Sequence, residues 1–577
     1  MNTKYYLYLL SVINLLIMHY YILITCRVEE ATDATLWIDN LLGVVFDLTI
    51  IIALSSLLTL GRMHRSLIIT FLISFLWSFS NCLYSRFFHH YISLSSISQV
   101  GALTDSFMVA NVLSQFNWFD IIFIAIGIAV LYISFFVKSN NNSFSKKHLL
   151  ITWPCTLLIA DLIIHLLFCL STPKLSSLSY YKHRIIVRHL ETLHSSAEPN
   201  WAFFHRGTIR QVVFPPLLQS LTTHEITNSQ RESIETEYKN HKFRRTFLNN
   251  KSNGTNIIFI IVESYLSATS DLLMNGQEVT PFLNSLRHDS TVFFNNYVKP
   301  NITLGESSDG QYIYMTGLLP LRSEVTVTKA KYALLPGLPR ILKREGIISE
   351  AHMIIPTLPS MWEQETMCKK YGFDHLYSSA DYQNGEHWYL TDKEIFKYAL
   401  EKDLKVKKNF LSVVLTMSMH APYTQPLDSS FIINDPSLPP NYRNYLSTCH
   451  YTDKQIKWYI EQLKDKKIYD NSIIIIVADH HAHPEALNME EKNISIDIPL
   501  YIINAHINNK TSWHGHCNQL DIYTTLLDIL DVSSTWRGFG HTLITNDYQN
   551  SLRPELWQMS EKIILGNYFK NTINYPE

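Results

Sequence analysis

Ile473-Ile474-Ile475-Ile476-Val477-Ala478 runs without a break into Asp479-His480-His481. Six apolar residues in succession read as a strand buried on both faces, and in open α/β sheets ligands bind outside the carboxyl ends of such strands. Asp479 and His480 are therefore candidate metal ligands. A second run, Ile257 to Val262, ends the same way in Glu263, a hard oxygen donor of the kind Zn²⁺ or Mn²⁺ accepts. One acid at a strand end is ordinarily a cap or the start of a turn. Two such acids beside a histidine cluster indicate a site.

Between the two runs lies the small-polar turn Gly305-Glu306-Ser307-Ser308-Asp309-Gly310. Gly305 permits a sharp turn, which places Ser307 or Ser308 at a helix N-terminus, where unpaired N–H groups and the dipole favour anions. A hydroxyl held there against a metal is a candidate phosphoryl nucleophile. A Ser-rich turn is by itself only an N-cap signal. His481, His483, His514 and His516 add imidazoles nearby in sequence, with His480 the strongest candidate for acid–base or ligand work.

These residues need a scaffold that brings strand ends to one edge. From residue 250 onward strand patterns alternate with helical ones: Thr280-Pro281 reads as an N-cap and first helical residue, Phe410 to Thr416 as another buried strand, and Asp453 to Leu463 as a helix. The alternation predicts a helix-flanked, largely parallel sheet. The first third is different. Segments near 5–25, 38–60, 67–85, 118–137 and 149–171 are each long and apolar enough to span a bilayer, giving five predicted spans. Lys4, Arg62, Arg65, Lys138, Lys146 and Lys147 fall in loops that the positive-inside rule puts in the cytoplasm, so everything after about residue 171 faces outward. The first segment lacks a small-residue cleavage site and is read as a retained helix. Asp161 and His165, one turn apart in the fifth span, read as an interhelical polar contact. Residues 172–250 read as a linker with short helices.

A formal net charge of −2 gives no basis for nucleic-acid binding. Cys368, Cys449 and Cys517, the cysteines beyond the apolar third, are odd in number and lack CxxC spacing, so no disulfide framework is expected.

The motifs NIIFIIVES, TPFLNSL, GESSDG, MWEQETM, LTMSMHAPY, YDNSIIIIVADHH and NQLDIYTTLLDIL occur in that order over roughly residues 250–535. In this order they resemble the lipoteichoic acid synthase branch of the alkaline phosphatase and sulfatase superfamily. The resemblance implies an α/β/α alkaline-phosphatase-like domain at 251–577, behind a five-helix transmembrane region at 1–171 and the linker at 172–250. It further implies a single divalent metal, Mn²⁺ or Zn²⁺, on Glu263, Ser307, Asp479 and His480, with Ser307 as nucleophile and Ser308 as its competitor. By the same resemblance His420 contacts substrate phosphate and Trp362 lines the pocket, with Gln364 beside it. The related phosphoethanolamine transferases add His483 and His516 as secondary candidates.

The implied activity moves a phospho-alcohol group from a phospholipid to a glycan, lipid or polymer hydroxyl, at the outer face of the cytoplasmic membrane. Two departures bear on it. Glu306 and Gln364 stand where the synthase pattern has Lys and Arg, which favours phosphatidylethanolamine over phosphatidylglycerol as donor. The sulfatase signature around the nucleophile is absent, which argues against sulfate ester hydrolysis. A metal-dependent phosphodiesterase or phosphatase, and a non-enzymatic membrane scaffold, are the alternatives.

Overall fold

The computed structural model describes residues 6–25, 34–60, 63–88, 91–92, 116–136, 159, 207–209 and 226–239. It also describes 255–571, apart from 323–324, 360, 383–388, 424–425, 485, 490–491, 493, 533–535 and 551. The chain divides into two compact units, residues 1–223 and 224–577.

In the first unit, helices occupy Tyr6–Thr25, Ala34–Leu58, Met63–Phe88 and Trp118–Phe136, where four of the five apolar segments were read. Among the described residues one stretch, His64–Arg86, is long and apolar enough to cross a membrane; Tyr6–Ile22, Gly43–Leu58 and Trp118–Ile133 are apolar but shorter. The fifth predicted span, with Asp161 and His165, lies outside the described residues. Polar contacts the sequence reading missed tie the helices together. Asp47, fully buried, accepts hydrogen bonds from the backbone N–H groups of Thr208 and Ile209 at 2.9 and 2.8 Å and from Thr208 Oγ1 at 2.6 Å, with His19 Nε2 at 2.9 Å. Arg86 makes a two-pronged pair with Asp120.

The second unit is built on an eight-stranded sheet. In chain order its strands are β1 (Asn256–Val262), β4 (Phe293–Lys299), β5 (Glu350–Ile354), β6 (His375–Tyr377), β7 (Phe410–Leu415), β8 (Ser472–Ala478), β9 (Ile498–Ile503) and β10 (Cys517–Asn518). The small pair β2 (Leu273–Met274) and β3 (Gln277–Glu278) stands apart. The spatial order is β10-β4-β9-β8-β1-β7-β5-β6. All neighbours pair in parallel except β9, which is antiparallel to both β4 and β8. Pro499 in β9 has no N–H to give, and β4 bulges opposite it between Asn295 and Val298.

β1 and β8 are central and every residue in them is buried, which is why they are apolar without alternation. They pair in register from Asn256–Ser472 to Val262–Ala478, so their next residues, Glu263 and Asp479, emerge side by side. β7 flanks β1 on the other side and delivers the turn holding His420 to the same edge. Pro281 opens its helix as read, although the Thr280 side chain makes no cap hydrogen bond. That cap comes instead from Asp453, whose carboxylate accepts from the N–H groups of Phe282 and Leu283 at 2.9 and 2.8 Å. Cys368, Cys449 and Cys517 are buried and free.

Candidate active site

The helix Ser307–Thr316 begins at the predicted turn, and its first residue carries the hydroxyl. Ser307 Oγ lies 3.2 Å from Glu263 Oε2 and 3.2 Å from His480 Nε2. Ser308 does not join them: its Oγ donates to the Gly305 carbonyl at 2.7 Å and is buried in the turn. The backbone thus separates two serines that composition could not.

Two features hold the hydroxyl in place. Glu306, just before it, has φ 43° and ψ −117°, a conformation that for a residue with a Cβ costs on the order of 1–3 kcal/mol. Asp309 supports this strained elbow. Its Oδ2 accepts from Thr303 N–H, Thr303 Oγ1 and Gly305 N–H at 2.7–2.9 Å, and its Oδ1 from Thr326 Oγ1 at 2.8 Å. Burial nonetheless pushes Asp309 up to about 6. Gly310 lets the helix approach β8, because a Cβ there would stand 2.3 Å from the Asp479 carbonyl oxygen.

The ligand candidates are fixed by neighbouring backbone. Glu263 N–H donates to Thr416 Oγ1 at 3.0 Å, and Ser264 Oγ donates to Glu263 Oε1 at 2.6 Å. Asp479 Oδ1 accepts from Ser264 N–H at 2.9 Å and from His480 N–H at 2.7 Å. Gln519 Nε2 donates to the Asp479 carbonyl at 2.6 Å. His480 Nδ1 sits 2.8 Å from the His481 carbonyl, which fixes Nδ1 as the protonated nitrogen and turns Nε2 toward the acids. His480 Nε2 is 3.4 Å from Glu263 Oε1 and 3.8 Å from Asp479 Oδ2.

Glu263, Asp479 and His480 are each at least nine-tenths buried and are grouped closely enough to share one ion. Separations of 3.2–3.8 Å suit atoms around a common cation with bonds of roughly 2 Å. The electrostatics agree. Burial and the adjacent Glu263 carboxylate push Asp479 up to about 7. Burial opposes charge on Glu263, yet the His480 imidazole holds it well below the usual carboxylate range. His480 is raised well above its ordinary value by the two carboxylates, against the effect of burial. Without a cation, protons must neutralise this buried cluster. The residues present fit a divalent metal.

His483 Nε2 lies 3.2 Å from Glu306 Oε2, and with His480 the two form a second close group of ligand-type residues. Burial would raise Glu306, but His483 and then His480 outweigh it and bring it down to about 2. His420 stands near enough for its charge to bear on Glu263, and its N–H closes a turn onto the Met417 carbonyl at 2.9 Å. That turn is anchored by Asp392, which the sequence reading missed: its Oδ1 accepts from Met417 and Ser418 N–H at 2.8 and 2.9 Å.

Other candidates stand apart. Trp362, partly buried at φ 50°, packs against the core. Gln364 is buried with its Nε2 donating to Gln311 Oε1 at 2.9 Å, one turn beyond Ser307 on the same helix. His516 is outside the cluster; its side chain is 77% exposed and its ring lies beside Tyr297. Asp309, Asp392, Thr416 and Gln519 carried no periodicity or spacing signal, although Asp309, Thr416 and Gln519 lie within motifs that support the resemblance.

Residues 255–532 match the protein-family model described as Sulfatase. Those residues, just under half of the chain, thus carry a sulfatase-type domain. Its curated relatives include lipoteichoic acid synthase 2 of Bacillus subtilis (strain 168), 27% identical over 501 residues that cover 81% of this chain and 72% of the relative. The lipoteichoic acid synthase of Staphylococcus saprophyticus is 23% identical over 536 residues, 88% of this chain and 79% of that one. Among solved structures, the lipoteichoic acid synthase LtaP from Listeria monocytogenes aligns with TM-score 0.45 and 20% identity over 56% of this chain and 82% of its own. The zinc complex of the C-terminal periplasmic domain of EptC from Escherichia coli aligns with TM-score 0.41 and 16% identity, over 53% and 92%.

Proposed function

We propose that this protein is a metal-dependent membrane phosphotransferase that moves a phospho-alcohol, phosphoethanolamine or phosphoglycerol, from a phospholipid to a hydroxyl of a glycan, lipid or polymer acceptor. The observation that carries the reading is the meeting of Ser307 Oγ with Glu263 and His480 at the N-terminus of its helix. The synthases among its curated relatives support it. In this reading residues 1–171 form a five-span membrane region with the N-terminus in the cytoplasm, 172–250 a linker and 251–577 the extracytoplasmic catalytic domain.

A single Mn²⁺ or Zn²⁺ held by Glu263, Ser307, Asp479 and His480 would supply a Lewis acid that favours the ionised serine oxygen and draws charge from a phosphate oxygen. Ser307 gives up its proton and its Oγ attacks phosphorus; the bond from phosphorus to the diacylglycerol oxygen breaks, and that oxygen takes a proton. The helix N-terminus stabilises the anionic phosphate on Ser307. Nδ1 of His420 is engaged by the Ala421 carbonyl, so contact with a phosphate oxygen falls to Nε2. An acceptor hydroxyl then attacks phosphorus, the Ser307 oxygen leaves and recovers a proton, and the cycle closes in ping-pong fashion.

The group Glu306, His480 and His483 favours a second reading, a phosphodiesterase or phosphatase in which water is the acceptor. Purified protein with Mn²⁺ or Zn²⁺, defined phospholipid and a hydroxyl acceptor separates them. Transfer yields acceptor-linked phospho-alcohol together with diacylglycerol, whereas hydrolysis yields free phospho-alcohol at the same rate with or without acceptor.

A further inference from the structure

Glu306 occupies a backbone conformation, φ 43° and ψ −117°, that glycine would adopt more cheaply. Its carboxylate receives His483 Nε2 at 3.2 Å and stands 3.9 Å from His480 Nδ1, and the side chain remains 23% exposed. Among the described residues no lysine or arginine forms an ion pair with it. Lys331, a little beyond the Thr326 that bonds Asp309, is already held by Glu363 at 2.7 Å. The contact from His483 engages one carboxylate oxygen, Oε2, and leaves Oε1 for a ligand.

We propose that Glu306, oriented by His483, binds a primary ammonium on the transferred group, and so selects phosphatidylethanolamine as donor. The inference rests on the reading that Ser307 takes up a phosphodiester. The head group stays on phosphorus when diacylglycerol leaves, and in ethanolamine the ammonium lies two carbons beyond its ester oxygen. Glu306 Oε2 lies 3.9 Å from Nδ1 and Ser307 Oγ 3.2 Å from Nε2 of the same imidazole, His480, so the carboxylate and the hydroxyl border one site. An ammonium forms a charge-assisted bond to the carboxylate, and glycerol hydroxyls offer only neutral donors. His480 Nδ1 is bonded to the His481 carbonyl, which disfavours it as a ligand to a second metal beside Glu306.

The test uses the full chain in detergent with Mn²⁺, given phosphatidylethanolamine, phosphatidylglycerol or phosphatidylpropanol, whose head has similar length and no charge. Diacylglycerol release should be faster from phosphatidylethanolamine than from phosphatidylpropanol by about tenfold in kcat/KM. In Glu306→Gln and in Glu306→Gly, which suits the backbone and should keep the melting temperature, that ratio should fall toward one. In Ser307→Ala, short-chain phosphatidylethanolamine should raise the melting temperature more than short-chain phosphatidylglycerol. Release as fast from phosphatidylglycerol or phosphatidylpropanol overturns the ammonium assignment and leaves the transferase reading intact. Release from no lipid overturns both. Two Mn²⁺ per chain, reduced to one in Glu306→Gln, would reassign the pair as a metal site.

Discussion

Ser307 Oγ lies 3.2 Å from His480 Nε2, the imidazole nitrogen that the His481 carbonyl leaves facing the acids. Ser308, the adjacent candidate, is turned away onto the Gly305 carbonyl. Ser307→Ala is accordingly expected to cut turnover by a factor on the order of 10³–10⁶. Its melting temperature should stay near that of the parent. Ser308→Ala should retain the chemistry and lose about 1 kcal/mol of stability with its buried hydrogen bond. Parallel assays of diacylglycerol release check both, and activity surviving in Ser307→Ala would reverse the assignment.

Much of this site was legible because buried parallel strands write themselves as unbroken apolar runs. β1 and β8 were visible, and so were the acids that end them. The choice between Ser307 and Ser308 came from the family resemblance alone, since it depends on a positive φ at Glu306 that no composition encodes. Asp309 and Asp392 escaped for a related reason. Each acts by accepting hydrogen bonds from distant backbone or hydroxyl groups, which leaves no period in the sequence. The direction of β9 was likewise hidden, because an apolar hexamer reads the same whether it runs parallel or antiparallel. In the N-terminal unit the pair His19 and Asp47 joins two predicted spans, a pairing that spacing within one helix cannot reveal.

Chelation should remove activity and lower the melting temperature, and added Mn²⁺ or Zn²⁺ should restore both. A cation at a hundredfold excess over its Kd stabilises the folded state by about 2.7 kcal/mol. Asp479→Asn should lose that response. Asn Oδ1 can still accept from the N–H groups of Ser264 and His480, and the substitution removes a carboxylate that opposes Glu263. Metal-free Asp479→Asn should therefore be at least as stable as the metal-free parent at pH 8. Thermal unfolding with and without metal measures both effects.

Gly310→Ala places a methyl 2.3 Å from the Asp479 carbonyl oxygen, so the nucleophile helix must shift from β8. A loss of about 1–3 kcal/mol is expected. Turnover should fall by more than the folded fraction explains, because Ser307 moves with the helix. Denaturant unfolding beside diacylglycerol release separates the two contributions.

Burial raises Asp453 to about 7 and Asp309 to about 6, each from an ordinary value of 3.8. Over that window the folded protein holds more protons than the unfolded chain, so these groups make stability fall as pH rises from about 4 to 7. Asp453→Asn should flatten its part of the decline. It should also cost about 1 kcal/mol at pH 5, since one of the two helix-capping contacts to Phe282 and Leu283 N–H is lost. Unfolding free energies at pH 4, 5, 6 and 7 with metal held saturating check the slope.

In the proposed cycle Ser307 becomes the phosphorylated residue. Protein incubated with phospholipid and metal, without acceptor, then quenched in acid and digested, should yield a peptide whose added mass equals the phospho-alcohol head group, localised by fragmentation to Ser307 and absent in Ser307→Ala. Adduct on Ser308, or lipid turnover with no adduct on any residue under these conditions, would contradict the account.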